Sequence, residues 1–229
     1  MKILIAIPSI FEANAIFKSA GKKAKLGATV KISENIEVII TGVGCEASQK
    51  RLSTKIKEFS PAIVLLLGYC GACDENLKNA DFVYETSCQN LAKVFENFGA
   101  RKAKIAYVAK TANSKKKQEL FEKGFNAVEM ESNFFKPEIN SANAIFAHLR
   151  CVSDTKKSAI PAEIMDLSMD KKTGDINPLK MLSVKAFFKC PTILFNLIHF
   201  GIEIAPTQKL FAKKSVDIIS ALKDFANND

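Results

Sequence analysis

Residues 61–72 read PAIVLLLGYCGA, and the fold turns on them. Pro61 closes what precedes, residues 62–67 form an unbroken aliphatic run of strand length, and Gly68-Tyr69-Cys70-Gly71-Ala72 reads as a small-residue turn. A run with no polar alternation belongs to a strand covered on both faces, as in a parallel sheet between helices. A glycine-bearing turn at the carboxyl end of such a strand is where ligands bind in open α/β sheets.

The flanking chain repeats this grammar. Residues 2–7 (KILIAI) form a second buried strand stopped by Pro8, and a helix over 10–19 closes near Gly21. Strands at 28–32 and 36–41 turn at Glu34-Asn35, and a helix follows over 45–59. Beyond the central run come strands at 80–86, 104–110, 126–130 and 144–152, with a helix around 91–98. Ser114 reads as the N-cap of a helix over 114–123 with Gly124 past its end, and Pro137 interrupts a helix over 132–140. Loops run from Pro161 to Asn177, then helices over 179–188, 192–200 and 207–225. The alternation predicts one α/β domain over 1–229: a mixed, mainly parallel central sheet flanked by helices, with a helical C-terminal part from about 177.

Composition narrows the function classes. Of 229 residues 48% are hydrophobic and 25% charged, the balance of a globular chain. No apolar run reaches the ~18 residues of a membrane span, and KILIAI lacks a small-residue cleavage site, so a cytoplasmic protein is expected. Six cysteines include one close pair, Cys70 and Cys73, with no second pair to complete a zinc site, so reduced thiols and no metal are expected. The 33 Lys and Arg against 24 Asp and Glu give a net charge of +9. The lysines are scattered without interleaved aromatics, which reads as a solvated surface and not as a nucleic-acid groove. Phe187, Phe188, Phe195, Phe200 and Phe211 read as core packing, against the alternative of an amphipathic membrane face. His148, mid-strand, reads as a satisfied interior or interface residue and not as a ligand.

Four acids stand where strands end or loops begin: Glu12, Glu129, Glu131 and Asp154. Strand alternation would send Glu129 and Glu131 to one face and Met130 to the other; a turn beginning at Met130 would aim Glu131 into the strand-end crevice. Buried carboxylates are costly unless something binds them. Helix capping explains Glu131 and Asp154 equally well on spacing alone, and Glu12 fits an exposed first-turn residue.

Residues 127–132 (AVEMES) and 150–155 (RCVSDT), at this separation, resemble the family of purine nucleoside phosphorylases and methylthioadenosine/S-adenosylhomocysteine nucleosidases. Residues 43–49 (VGCEASQ) and 61–81 resemble its earlier glycine-bearing segments, so the resemblance spans roughly 1–155. The tail, with 160–167 (IPAEIMDL) and Asn177-Pro178-Leu179, is similar to the hopanoid-associated phosphorylases, as is the shortened middle. The resemblance implies cleavage of the N-ribosyl bond of an adenine nucleoside by hydrolysis or phosphorolysis, with no cofactor and with phosphate as the co-substrate in the phosphorolytic case. It makes Asp154 the general acid toward the purine, a role that needs a pKa raised toward working pH, as burial at a strand end can achieve, and Glu12 the residue that orients the attacking water. Glu131 and Met130 would hold the ribose, with Glu129, Ser153, Gly68 and Tyr69 completing the substrate site. Homo-oligomers are usual in the resembling families. A lipid-linked substrate of the adenosylhopane type follows from the tail; methylthioadenosine, S-adenosylhomocysteine or futalosine hydrolysis is the alternative, and a catalytically silent nucleoside-binding relative a third. Phosphorylases commonly carry an arginine just before the glycine turn, where Leu66 and Leu67 stand here, and this departure tilts the reading toward hydrolysis.

Overall fold

The computed structural model describes residues 1–158, 168–176 and 193–228, with backbone only for 193–203 and 228. The chain runs β1 (Ile3–Ile7), α1 (Ile10–Ser19), β2 (Thr29–Ser33), β3 (Ile36–Ile40), α2 (Glu46–Phe59) and β4 (Ile63–Ala72). It continues through β5 (Phe82–Thr86), α3 (Gln89–Asn97), β6 (Arg101–Lys102), β7 (Ile105–Tyr107), α4 (Ser114–Glu122) and β8 (Ala127–Glu129). The described part ends with α5 (Ser132–Ser141), β9 (Ile145–Asp154) and α6 (Ile193–Asn228).

The strands form one mixed sheet in the order β2-β3-β1-β4-β9-β5-β6, with β8 joining β4 to β7. β1 pairs parallel with both β3 and β4, and β4 parallel with β9, so the centre of the sheet is parallel. Alternation along β1 shows why its run is continuous. Ile3, Ile5 and Ile7 enter a core with Phe17 of α1, Phe95 of α3 and Phe211 of α6, whereas Leu4 and Ala6 pack with Leu52 of α2 and Phe135 of α5. Both faces are buried, so neither tolerates polar alternation.

The largest departure from the sequence reading is in the segment expected to turn. Residues 68–72 continue β4 as strand: they stay paired with β9 as far as Gly71, and Gly71 and Ala72 also pair with β8. β9 likewise extends past Val152 to Asp154, because the β4–β9 register shifts between Cys70 and Gly71 and brings Asp154 opposite Gly71. Ser153 is the extra residue of this bulge. The strand expected at 104–110 is only β7, and β6 precedes it. Asn113, not Ser114, caps α4, accepting from the Lys116 amide at 2.9 Å, while Gly124 does take the positive φ (84°) past the helix end. α5 runs through Pro137 uninterrupted, and the two helices expected over 192–200 and 207–225 are one, α6, which includes Pro206. The helix expected over 179–188, the resemblance at 160–167 and at 177–179, and Phe187 and Phe188 lie outside the described residues. Among the described residues no helix is long and apolar enough to cross a membrane.

Candidate active site

The open ends of β4, β8 and β9 and the start of α1 enclose a cavity of about 380 Å³. Glu12, Glu129, Glu131 and Asp154 all reach its wall and all are buried. Met130, Ser153 and Tyr69 also line it, so the structure brings together nearly every residue singled out from the sequence. Gly68 lies just behind the wall and acts through the space it leaves. A Cβ there would stand 2.6 Å from Glu12 Oε1 and 2.9 Å from an Arg150 guanidinium nitrogen. Gly68→Ala is therefore expected to lower stability by about 1–3 kcal/mol, as overpacking does, measured by urea unfolding.

Glu12 sits in the first turn of α1 but faces inward. Ser9 caps the helix, accepting from the Glu12 amide at 3.2 Å, and its hydroxyl donates to Glu12 Oε2 at 2.5 Å. The Tyr69 amide donates to Oε1 at 2.7 Å. Burial pushes the Glu12 carboxyl above its ordinary range, against the pull of these hydrogen bonds and of Arg150. Tyr69 gives its backbone to the site, while its ring packs on Phe211 of α6 with centroids 4.7 Å apart.

Arg150 organises the middle of the cavity. It is fully buried on β9, and one guanidinium nitrogen lies 3.0 Å from Glu129 Oε2 and 3.1 Å from Glu131 Oε2. β8 ends at Glu129, so Glu131 leaves the strand alternation and turns back toward the same guanidinium. Glu131 holds the N-cap position of α5 without a side-chain capping bond, and the α5 start is instead held by Glu129, which accepts from the amides of Glu131 (2.9 Å) and Ser132 (3.0 Å). Burial opposes ionisation of Glu129, but Arg150, His148 and these amides hold its carboxyl below the usual range. Burial raises Glu131, Arg150 pulls it down, and the charges of Glu129 and Glu12 raise it further, to about 8.

That asymmetry has a measurable sign. With a folded value near 8 against an ordinary 4.5, Glu131 keeps its proton in the fold where the unfolded chain has lost it. Its contribution to stability is therefore present at low pH and is lost as pH rises from about 4.5 to 8. Glu131→Gln is expected to gain stability relative to the parent across that window, as urea unfolding at several pH values would show; no gain would count against it. Glu129 has the opposite sign, since its contribution disappears only as pH falls through its lowered folded value.

Among the described residues Asp154 caps no helix, and it does not follow a strand. It ends β9, accepts from the Ser153 hydroxyl at 2.9 Å, and forms a buried ion pair with Lys117 of α4. Arg150 and Lys117 are the two site residues that sequence reasoning left without a role. Arg150 had a signal, the one Arg or Lys in a buried strand that is apolar around it apart from His148 and the Ser153-Asp154 end. Lys117 had almost none, being the last residue of Lys115-Lys116-Lys117, which reads as a solvated face. His148 is buried as expected but not satisfied: among the described residues neither ring nitrogen has a hydrogen-bond partner, and Nδ1 lies 3.7 Å from Glu85. Cys70 and Cys73 are free and buried, and among the described residues no group of His, Cys, Asp and Glu is placed to hold a metal ion.

This sheet, its two helical layers and the strand-end cavity define the nucleosidase fold. The chain aligns with a Helicobacter pylori MTAN mutant solved with 5′-methylthioadenosine in its active site, at TM-score 0.64 and 18% identity, covering 96% of this chain and 98% of that one. A mutant futalosine hydrolase from the same organism aligns at TM-score 0.62 and 17% identity over 96% and 99% of the two chains. The 5′-methylthioadenosine/S-adenosylhomocysteine nucleosidase of Campylobacter jejuni aligns at 0.61 and 16% over 96% and 98%. No protein-family model and no curated protein matches the chain.

Proposed function

We propose that the chain hydrolyses the N-ribosyl bond of an adenine nucleoside carrying a small 5′ substituent. The observation that carries this reading is the charge of the cavity wall. Among the described lining residues four carboxylates face two cations, and both cations are already ion-paired: Arg150 with Glu129 and Glu131, Lys117 with Asp154. N-ribosyl cleavage develops positive charge on the ribose, and the preorganised acidic groups of this wall, Glu129 ionised among them, stabilise that charge. Both of those cations are already engaged by carboxyl groups, and Leu66 and Leu67 are fully buried in the core, giving no bidentate donor where a phosphorylase would need one. Hydrolysis follows.

Each acid then has a task. Glu12, fixed by Ser9 and the Tyr69 amide, accepts a proton from the attacking water. Glu131 takes the ribose hydroxyls with Met130 beneath the sugar, and Glu129 and Arg150 hold Glu131 in place. Asp154, held by Ser153 and Lys117, serves the departing purine. A cavity of about 380 Å³ lies at the small end of ligand sites, which favours a methylthioadenosine- or futalosine-sized substrate over a lipid-linked one of the adenosylhopane type. The solved relatives named above, acting on methylthioadenosine, S-adenosylhomocysteine or futalosine, support the same choice.

A product assay tests it. Purified protein incubated with methylthioadenosine is expected to release adenine and free sugar at the same rate with and without phosphate. A sugar phosphate as product, or no cleavage across a panel of 5′-substituted purine nucleosides, would overturn the reading.

A further inference from the structure

Lys117 asks for a purpose that fold stability does not give it. Among the described residues it is the only fully buried lysine, 1% exposed, whereas Lys115 and Lys116 beside it face solvent. Burying an ammonium is costly, and an apolar residue on the inner face of α4 would fill the space without that cost. The surroundings nevertheless accommodate it. Gly71 leaves room for its stem, since a Cβ there would stand 2.8 Å from Lys117 Cε. The Ser114 hydroxyl donates to the Lys156 carbonyl at 2.6 Å, tying the first turn of α4 to the chain just past β9. The ammonium donates to the Thr155 carbonyl at 3.1 Å and to Asp154 Oδ2, while Ser153 donates to Oδ1. Both carboxylate oxygens thus accept, one of them from the ammonium in a buried ion pair. Lys117 also lines the cavity.

We infer that Lys117 supplies, through Asp154, the proton that the departing base takes up; this rests on the hydrolysis proposed above. As the C1′–N9 bond breaks, its electron pair goes to the purine. A proton passes from Lys117 Nζ to Asp154 and from Asp154 to a ring nitrogen of the base, leaving a neutral amine against a restored carboxylate. Water bonds to C1′ and its surplus proton goes to Glu12. Passage of that proton to solvent, and of a solvent proton to Lys117, resets the site with no net change in charge. Lys117 therefore acts on the base only through Asp154.

The test compares two leaving groups. Adenine must be protonated to depart, whereas 4-nitrophenolate, released from 4-nitrophenyl β-ribofuranoside, departs as an anion without an acid. In Lys117→Met, the ratio of adenine-nucleoside to aryl-riboside turnover is expected to fall by about 10²-fold. Lys117→Arg keeps the charge and the ion pair but cannot release its proton, so the same fall is expected there even if Lys117→Met does not fold. A parent-like ratio in Lys117→Arg, or equal losses on both substrates, would overturn the inference and assign Lys117 a purely structural or electrostatic role. Parent protein that cleaves neither substrate would instead sink the hydrolase reading itself.

Discussion

Asp154→Asn is expected to lower turnover of an adenine nucleoside by about 10²–10⁴-fold, the range that loss of a positioned acid produces. Asparagine keeps the shape of the side chain and can still accept from Ser153, so ground-state binding should change far less than kcat. The substitution also leaves the buried Lys117 without a counter-charge, and breaking a buried pair from one side costs about 3–5 kcal/mol. The two effects separate experimentally. Turnover is measured well below the unfolding temperature, with circular dichroism confirming the folded fraction, and stability is measured by urea unfolding. Kcat within a factor of a few of the parent would remove Asp154 from the chemistry.

Arg150→Met should cost stability on the same scale as Asp154→Asn. Arg150 is fully buried and contacts Glu129 and Glu131, with a weaker bond to the Tyr69 carbonyl at 3.4 Å. Removing it strands the Glu129 carboxylate in a low-dielectric interior beside Glu131, at about 3–5 kcal/mol, or roughly 10 °C in unfolding temperature for a chain of this size. The deficit should shrink on acidification, as the stranded carboxylate takes up a proton and no longer needs a cation. Thermal unfolding at pH 5 and pH 8 checks both the size and the direction. A deficit that stayed the same at both would mean that charge was not the cause.

The sheet was legible because both faces of its central strands are buried, which leaves continuous aliphatic runs at 2–7 and 62–67. The strand ends were not legible. Gly68 through Ala72 carries the residues of a turn, yet Gly68 serves to admit Glu12 and Arg150, and Gly71 to admit Lys117. A glycine chosen for the space beside it looks the same in a sequence as one chosen for its backbone freedom. The carboxylates could be singled out individually, and the resemblance assigned them tasks, but spacing could not choose between capping and binding. Nor could spacing reveal Arg150, which lies 21 residues beyond Glu129 and gathers both glutamates on one guanidinium while Glu129 also accepts from the first amides of α5. Lys117 stayed hidden because a helix can turn one member of a lysine run inward, and only tertiary packing shows which.

α6 reaches the cavity at Ile204 and Gln208, cushions the Tyr69 ring with Phe211, and near its far end meets the start of the chain, where the Met1 amine donates to the Ala226 carbonyl at 2.6 Å. At 1.5 Å per residue those two ends of the contact are about 33 Å apart. A single rod thus forms part of the chamber wall and also clamps the beginning of the first strand. The closing helix is a beam of the reaction vessel, and trimming it back past Ile204 would remove masonry along with length.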